Sequence, residues 1–514
     1  MFLGRSGRRV GTGAQPNQGV TVGTDISSTG RFVVFTSAAN NLVSNDTNNA
    51  ADVFLRDNQA GTTERVSVGP AGVQAGLGGY GGLVSADGRY VAFSSDSVNL
   101  VADDTNGTTD VFVRDRQDAI TTRVSVKAAA GQADGPSYLS AMTPDAKFVV
   151  FASDAENLIG TVAVPLDENF STDIYLRNRA TSVTTRISIG TDGSEGDSDS
   201  SIASISDNGR FIAFASNASN FDVNDSGSYS DIFLRDRTLA TTTLLTGVSG
   251  AEADGESLNV AISGDGSTVI LDSDASNLVP TRDLNFQTDV YAVSVATGTR
   301  ERISVASNGG ESDDFSLLAG VSTNGRYVVF QSAATNLLVT ESSGLANSFI
   351  RDRATGATRL AGNTQQQAEP SNPDGFGGSS PNGISGDGRY VLFSSNATDV
   401  MSAGDSNGTV ADVFLRSNPV PFIFLASPST VTRGTTVTIS FTGTDLHAGS
   451  LVVIGGGVTV NSVTFVDQSK INVNVTVAAN ADLGPRTPYV FDAGTGAGAF
   501  TGGLTYFPSL FSVV

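Results

Sequence analysis

Seven times the chain repeats one order of hydrophobic and polar positions: a Gly-Arg turn, an apolar segment, a polar loop, a second apolar segment. The turns fall at Gly30-Arg31, Gly88-Arg89, Ala146-Lys147, Gly209-Arg210, Gly266-Ser267, Gly325-Arg326 and Gly388-Arg389. Copies follow one another at about 57 to 63 residues, a period that belongs to modular architectures such as propellers. In the second copy Leu83-Val84-Ser85 leads into the turn, and Tyr90-Val91-Ala92-Phe93-Ser94-Ser95 follows it. After a polar loop come Val111-Phe112-Val113-Arg114-Asp115, a short turn, and Thr121-Thr122-Arg123-Val124-Ser125-Val126. These runs are rich in β-formers and bounded by turn residues. Four short strands with tight turns predict one antiparallel blade, and seven blades a propeller. No helical periodicity appears, so the predicted class is all-β.

The seventh copy ends after Asp412-Val413-Phe414-Leu415-Arg416 and runs into Pro419 and Pro421, so its fourth strand is missing. Gly7-Arg8-Arg9-Val10-Gly11 stands before the first turn at nearly the spacing of a fourth strand. The N-terminal segment is therefore predicted to complete the last blade, which removes the edges that an open array would expose. Residues 1–418 form this predicted propeller. From 419 to 514 the pattern changes to further alternating strands, predicting a small β-sandwich. Its strands are read at Leu451–Ile454, Val458–Val460, Val463–Phe465, Ile471–Val477, Leu483–Arg486, Tyr489–Phe491 and Leu504–Tyr506.

Ser-x-Asp-Gly-Arg-Tyr-Val-x-Phe-Ser-Ser, Asp-Val-Phe-Leu-Arg-Asp and Thr-Thr-Arg-Val-Ser-Val resemble the TolB-like, WD-type propeller repeats of bacterial envelope and secreted proteins. That resemblance implies an extracellular, periplasmic or cell-surface location. The run Ser-Pro-Ser…Gly-Thr-Thr-Val-Thr-Ile…Thr-Gly-Thr-Asp-Leu resembles immunoglobulin-like IPT/TIG modules, which implies display, adhesion or protein binding. Met1-Phe2-Leu3-Gly4 followed by Arg5, Arg8 and Arg9 lacks the apolar stretch of an export signal.

Composition narrows the chemistry. Among 514 residues, 52 are acidic and 30 basic, a formal charge of -22, which disfavours nucleic acid and anionic lipid but attracts divalent cations. There is no cysteine, and the single histidine is His447, read as exposed in a loop. Thiolate chemistry, multi-histidine metal centres and a serine–histidine triad within the propeller are thereby excluded. No apolar run reaches membrane-spanning length. The chain is expected to be a monomer.

Because loops alternate between the two ends of antiparallel strands, the short Gly-Arg turns and the third-to-fourth turns share one face. The long second-to-third loops and the links between blades share the other, where binding residues are expected. The links are acidic: Asp192, Glu195, Asp197 and Asp199; Glu252, Asp254 and Glu256; Glu311, Asp313 and Asp314. The long loops carry spaced oxygen donors: Asp46, Asn48 and Asp52; Asp104, Asn106 and Asp110; Asp167, Asn169 and Asp173; Asp283, Asn285 and Asp289. Blade four keeps Asp225 and Asp231 with Gly227 between them, and blade seven has Asp405, Asn407 and Asp412. In blade six the set has decayed to Glu341, Ser343 and Asn347. Alternating oxygen ligands in a short loop suit calcium, and the loop resembles a shortened calcium loop of integrin-type propellers. The same residues also form Asx-turns, which leaves a turn-shaping role open.

Asn41, Asn99, Asn157, Asn220, Asn277 and Asn336 each precede an apolar residue that is expected to plug the gap between blades. Phe35, Phe93, Phe151, Phe214, Phe330 and Phe393 are expected in the core, with Leu271 in their place in blade five. The strand arginines Arg56, Arg114, Arg177, Arg235, Arg351 and Arg416 are expected to snorkel or to pair with acids. The expected function is non-catalytic binding of a protein or polysaccharide. The alternative is a carboxylate-based glycosidase or lyase acting on a carbohydrate, since the separation of two carboxylates is a three-dimensional property.

Overall fold

The computed structural model describes residues 8–9, 16–18, 20–127, 131–159, 167–227, 229–248, 250, 252–281, 283–338, 344–362, 378–400, 410–418, 422–444, 446, 450–454, 456–467, 470–486, 488–492 and 511–513. His447, Asp405, Asn407, Glu341, Ser343 and the predicted strand Leu504–Tyr506 lie outside these residues. Two compact units are present, the larger ending at Ser417 and the smaller beginning at Asn418, with Ala354–Gly356 grouped with the smaller.

The larger unit is built of seven four-stranded antiparallel sheets. Blade one comprises Val20–Ile26, Phe32–Ser37, Asp52–Asp57 and Thr62–Arg65. Blades two to six repeat this order, and blade seven consists of Ser380–Ile384, Tyr390–Ser395 and Asp412–Ser417. Its fourth strand is Arg8–Arg9, with Arg8 opposite Leu415 and Arg9 opposite Phe414. First strands of consecutive blades contact one another around the whole ring, Ser380–Ile384 meeting Val20–Ile26. A hydrogen bond from the Asp387 amide to the Ser28 carbonyl, at 3.0 Å, joins the seventh blade to the first. Their shared core holds Val33, Phe35 and Phe54 with Leu392, Val413 and Leu415. The larger unit is thus a seven-bladed β-propeller closed by its N-terminal strand.

Alternation explains the packing. Second and third strands are buried on both faces, as in Phe32–Ser37 and Asp52–Asp57, because each is sandwiched between neighbouring blades. Each predicted core phenylalanine stacks on a third-strand aromatic directly opposite, for example Phe35 on Phe54 at 5.7 Å and Phe93 on Phe112 at 5.8 Å. Offset-stacked pairs of this kind add to the stabilisation from burial. The fourth strand is shorter than predicted, ending at Arg123 in blade two. There the Val124 amide turns back to the Val111 carbonyl at 2.8 Å, so Val124–Val126 already belongs to the link.

The strand arginines differ from expectation. Arg56, Arg114, Arg177, Arg235 and Arg416 are buried rather than snorkelled. Five described guanidinium groups donate to a threonine hydroxyl on the fourth strand, Arg177 to Thr184 at 3.0 Å, Arg235 to Thr242 at 3.0 Å and Arg351 to Thr358 at 2.9 Å among them. That threonine in turn donates to the carbonyl of the preceding link, as Thr184 does to Val126 at 2.5 Å. The arginine therefore knits neighbouring blades together through neutral acceptors.

The arginine of the Gly-Arg turn takes the carboxylate. Arg31 lies 2.7 Å from Asp57, Arg89 2.7 Å from Asp115, Arg210 2.6 Å from Asp236 and Arg326 2.8 Å from Asp352. The guanidinium partner holds Asp57 and Asp115 down at about 2, well below the usual carboxylate range. A depressed folded-state value contributes stability that is complete above the unfolded value and is lost as pH falls through about 2. Asp115→Asn is expected to cost about 1 kcal/mol at neutral pH, the solvent-facing arginine screening the pair. Its melting temperature should fall less steeply than the parent's between pH 4 and pH 2 when both are followed by circular dichroism.

In the smaller unit, Phe422–Ser427, Thr436–Thr444, Lys470–Val477 and Val458–Asp467 form one sheet in that order. Strict alternation in Lys470–Val477 buries Ile471, Val473, Val475 and Val477 on one face against Ile439 and Phe441. The two segments read separately at Val458–Val460 and Val463–Phe465 are one bulged strand. Phe511–Val513, not foreseen as a strand, pairs in parallel with Thr430–Val431. A two-stranded pairing of Ser450–Val453 with Tyr489–Asp492 completes this all-β unit.

Candidate functional site: the carboxylate loops of the long-loop face

The long loops, such as residues 96–109 in blade two, and the links, such as 124–127 with 131–136, lie at the same end of the strands. Among the described residues four links double back through an isolated bridge: Val68 with Gln74, Val126 with Gln132, Ile189 with Glu195 and Val305 with Glu311. This fold-back lays a Gln or Glu over the Asp-x-Asn loop of its own blade. Gln74 donates to Asp46 at 2.9 Å and to Asp52 at 3.1 Å.

In blades one, two and three both aspartates of the loop converge on a cation supplied by the chain, and in blade five the second of them does. The last residue of the fourth strand is Arg65 in blade one, 3.4 Å from Asp46 and 3.6 Å from Asp52. Arg123 stands 3.4 Å from Asp104 and 3.1 Å from Asp110. Arg186 stands 3.9 Å from Asp167 and 3.0 Å from Asp173, and also pairs with Glu195. Arg302 lies 3.3 Å from Asp289 and pairs with Glu311. The hairpin register dictates the meeting, because the Asp that opens the third strand and the Arg that closes the fourth share one end of it. These arginines were not singled out from the sequence, although the interval from Asp110 to Arg123, 13 residues, recurs in other blades.

The asparagines shape the turn. In blades one, two, three and five the side-chain oxygen accepts a backbone N–H two residues on, Asn48 from Ala50 at 3.2 Å and Asn169 from Ser171 at 2.8 Å. Their amide nitrogens donate to the link, Asn106 to Ala133 at 3.1 Å and Asn285 to Ser312 at 2.8 Å. Asn48, Asn106, Asn169 and Asn285 therefore hold loop to link, the Asx-turn role left open by the sequence. Asp412 is buried at the start of its strand.

Burial governs the acids that open the third strands. It raises Asp52 and Asp110, and pushes Asp173 up to about 7 and Asp289 up to about 6 even beside their arginines. A serine hydroxyl on the fourth-strand side offsets part of this, Ser67 donating to Asp52 and Ser188 to Asp173, each at 2.5 Å. Three groups bring three carboxylates together with oxygens within 4.8 Å: Asp167, Asp173 and Glu195; Asp225, Asp231 and Glu252; Asp283, Asp289 and Glu311. The link acids thus do not form a uniform solvated negative rim. Asp197, Asp254 and Asp313 likewise accept from Ser219, Ser276 and Thr335 of the next blade. Asn99, Asn157, Asn220 and Asn336 clasp the preceding link, Asn220 donating to the Glu195 carbonyl at 2.7 Å. The apolar residues after these asparagines, such as Leu100, Leu158 and Phe221, are buried as expected.

Two aromatic residues on this face break the pattern. Phe170 and Phe286 follow the loop asparagine at φ 55° and 54°, where blade two has Gly107. They are 75% and 69% exposed. Bulky side chains rarely adopt that left-handed region, and little of the burial that normally repays an aromatic ring is obtained.

No family model matches the chain, and no curated protein does. Solved structures similar in fold include TolB from Acinetobacter baumannii, 15% identical, over 60% of this chain and 58% of that one, with a TM-score of 0.34. A prolyl endopeptidase is 14% identical over 84% of this chain and 55% of its own length, with a TM-score of 0.45. The chain thus spans less than two thirds of either. Among the described residues no helix is long and apolar enough to cross a membrane.

Proposed function

We propose that this chain is a non-catalytic secreted or cell-envelope binding protein whose long-loop face holds a protein or polysaccharide. The smaller unit acts as an immunoglobulin-like, IPT/TIG-type spacer or display module. The observation that carries the reading is the pair Phe170 and Phe286, exposed rings held in a backbone conformation that disfavours them. Local strain without a packing return is a mark of a binding or switch position. Val223 and Leu284, also exposed on this face in blades four and five, extend the apolar character. The buried acids of the loops serve structure through arginine and link contacts, which favours a rigid recognition platform over a pair of catalytic carboxylates.

A binding role predicts opposite effects on stability and affinity. Phe170→Gly relieves the positive φ and should raise stability by about 1 kcal/mol, read by urea denaturation. Combined with Phe286→Gly it should weaken retention of the protein on a bacterial polysaccharide array, or its cross-linking to envelope proteins on intact cells, at least tenfold. Equal retention or cross-linking by parent and double variant, or none by the parent, would refute the reading.

A further inference from the structure

In blades one, two, three and five the guanidinium at the end of the fourth strand faces the same atom, Oδ2 of the Asp that opens the third strand. Blade six has changed both partners together: Asn347 opens the third strand, and Leu360 stands opposite Phe349 in the arginine's register position. Blade four has changed only one. Leu244 stands opposite Phe233 where Arg186 stands opposite Tyr175, yet Asp225, Asp231 and Glu252 all remain, with oxygens within 4.8 Å of one another.

Asp231 is 1% exposed. Its Oδ1 accepts the Thr246 hydroxyl, and its Oδ2 has no hydrogen-bond partner among the described residues. That oxygen is the one a guanidinium faces in the four sister blades. Burial and the neighbouring carboxylates push Asp225 up to about 7, and burial above all pushes Asp231 up to about 6. A buried carboxylate oxygen lacking both donor and countercharge is strongly unfavourable unless something cationic completes the site.

We propose that blade four binds one divalent cation, Ca2+, between Asp225, Asp231 and Glu252, in the place that a guanidinium takes in blades one, two, three and five. Every side-chain donor is a carboxylate oxygen, the set preferred by hard cations, and water supplies the remaining ligands of a calcium sphere. The ion ties the long loop to Glu252 of the following link, as Arg186 ties loop to Glu195 in blade three. Affinity on the order of 0.1 to 1 mM is expected for a site of this kind. The inference is independent of the face-binding reading.

The full chain, stripped with EDTA and dialysed, is melted in matched ionic strength with 5 mM CaCl2, MgCl2 or NaCl alone, and titrated with CaCl2 by calorimetry. The parent should bind one equivalent of Ca2+, and its melting temperature should rise by on the order of 2 to 4 °C. Leu244→Arg should melt at the raised temperature without Ca2+ and gain nothing from it. Asp231→Asn should fold and lose the calcium heat, which keeps the test decisive even where Leu244→Arg fails to fold. The proposal is overturned if the parent shows neither heat nor shift, or if Leu244→Arg or Asp231→Asn keeps the parent's response.

Discussion

Replacing Arg186 with leucine should lower the stability of the propeller by about 3 to 5 kcal/mol, the range seen when one partner of a buried ion pair is removed. Arg186 and Asp173 are both buried, and the guanidinium Nε lies 3.0 Å from Asp173 Oδ2 while Nη1 pairs with Glu195. Removing it leaves the carboxylates of Asp167, Asp173 and Glu195 together in a site where burial already pushes Asp173 up to about 7. Leucine itself fits, since Leu244 fills the same register position in blade four, so the loss is electrostatic. The control is built into the repeat. Asp173→Asn with Arg186→Leu reproduces the Asn347 and Leu360 pair of blade six and should recover at least about half of the loss, the buried charge having gone with its partner. Urea denaturation of the three proteins measures this coupling. A single variant within about 1 kcal/mol of the parent would place Arg186 among surface pairs of little weight.

The repeat exposed the architecture because strand, turn and loop each leave a local mark. A Gly-Arg turn, a β-branched and aromatic run, and a loop of Asp and Asn are readable one segment at a time. The missing fourth strand of blade seven was legible by subtraction, and Arg8–Arg9 fills it in the same hairpin register, Arg9 standing opposite Phe414 as Arg65 stands opposite Phe54. The loop aspartates were legible as a converging set of oxygens, but the cation they converge on was not. Arg65 looks like an ordinary strand residue until the hairpin register sets it beside Asp52. Gln74 and Glu195 were harder still, because their placement depends on a link folding back through a single bridge. The arginines of the third strand misled for a related reason. Pairing with acids is the common fate of a strand arginine, whereas Arg177 and Arg235 meet threonines and carbonyls contributed partly by the preceding link. Contacts between blades join positions distant in the chain, and no local pattern announces them.

Gly88→Ala should destabilise the protein by about 2 to 5 kcal/mol, combining a left-handed backbone penalty with overpacking. The first reason is the backbone: φ at Gly88 is 73°, a conformation glycine adopts without steric cost. The second reason lies in the neighbouring blade: a Cβ on Gly88 would come within 2.5 Å of Cδ2 of Phe32, the residue that opens the second strand of blade one. The same aromatic-over-glycine contact recurs at Gly209 with Phe148, Gly266 with Phe211 and Gly388 with Tyr327, and at Gly30 with Tyr390 where the ring closes. Phe32 has little room to withdraw, being buried with the Arg31 and Arg116 guanidinium groups 4.6 and 5.6 Å from its ring centre. Gly107 separates the two contributions, since it has φ 66° in the same blade but open space around a Cβ. Gly107→Ala should cost only about 1 to 2 kcal/mol of backbone strain. Phe32→Leu combined with Gly88→Ala should then be less destabilised than the sum of the two single variants, because each relieves the crowding that the other creates or leaves unfilled. Additivity of the pair in urea denaturation, or equal losses at Gly88 and Gly107, would remove the steric half of the argument and leave the glycine a turn residue only.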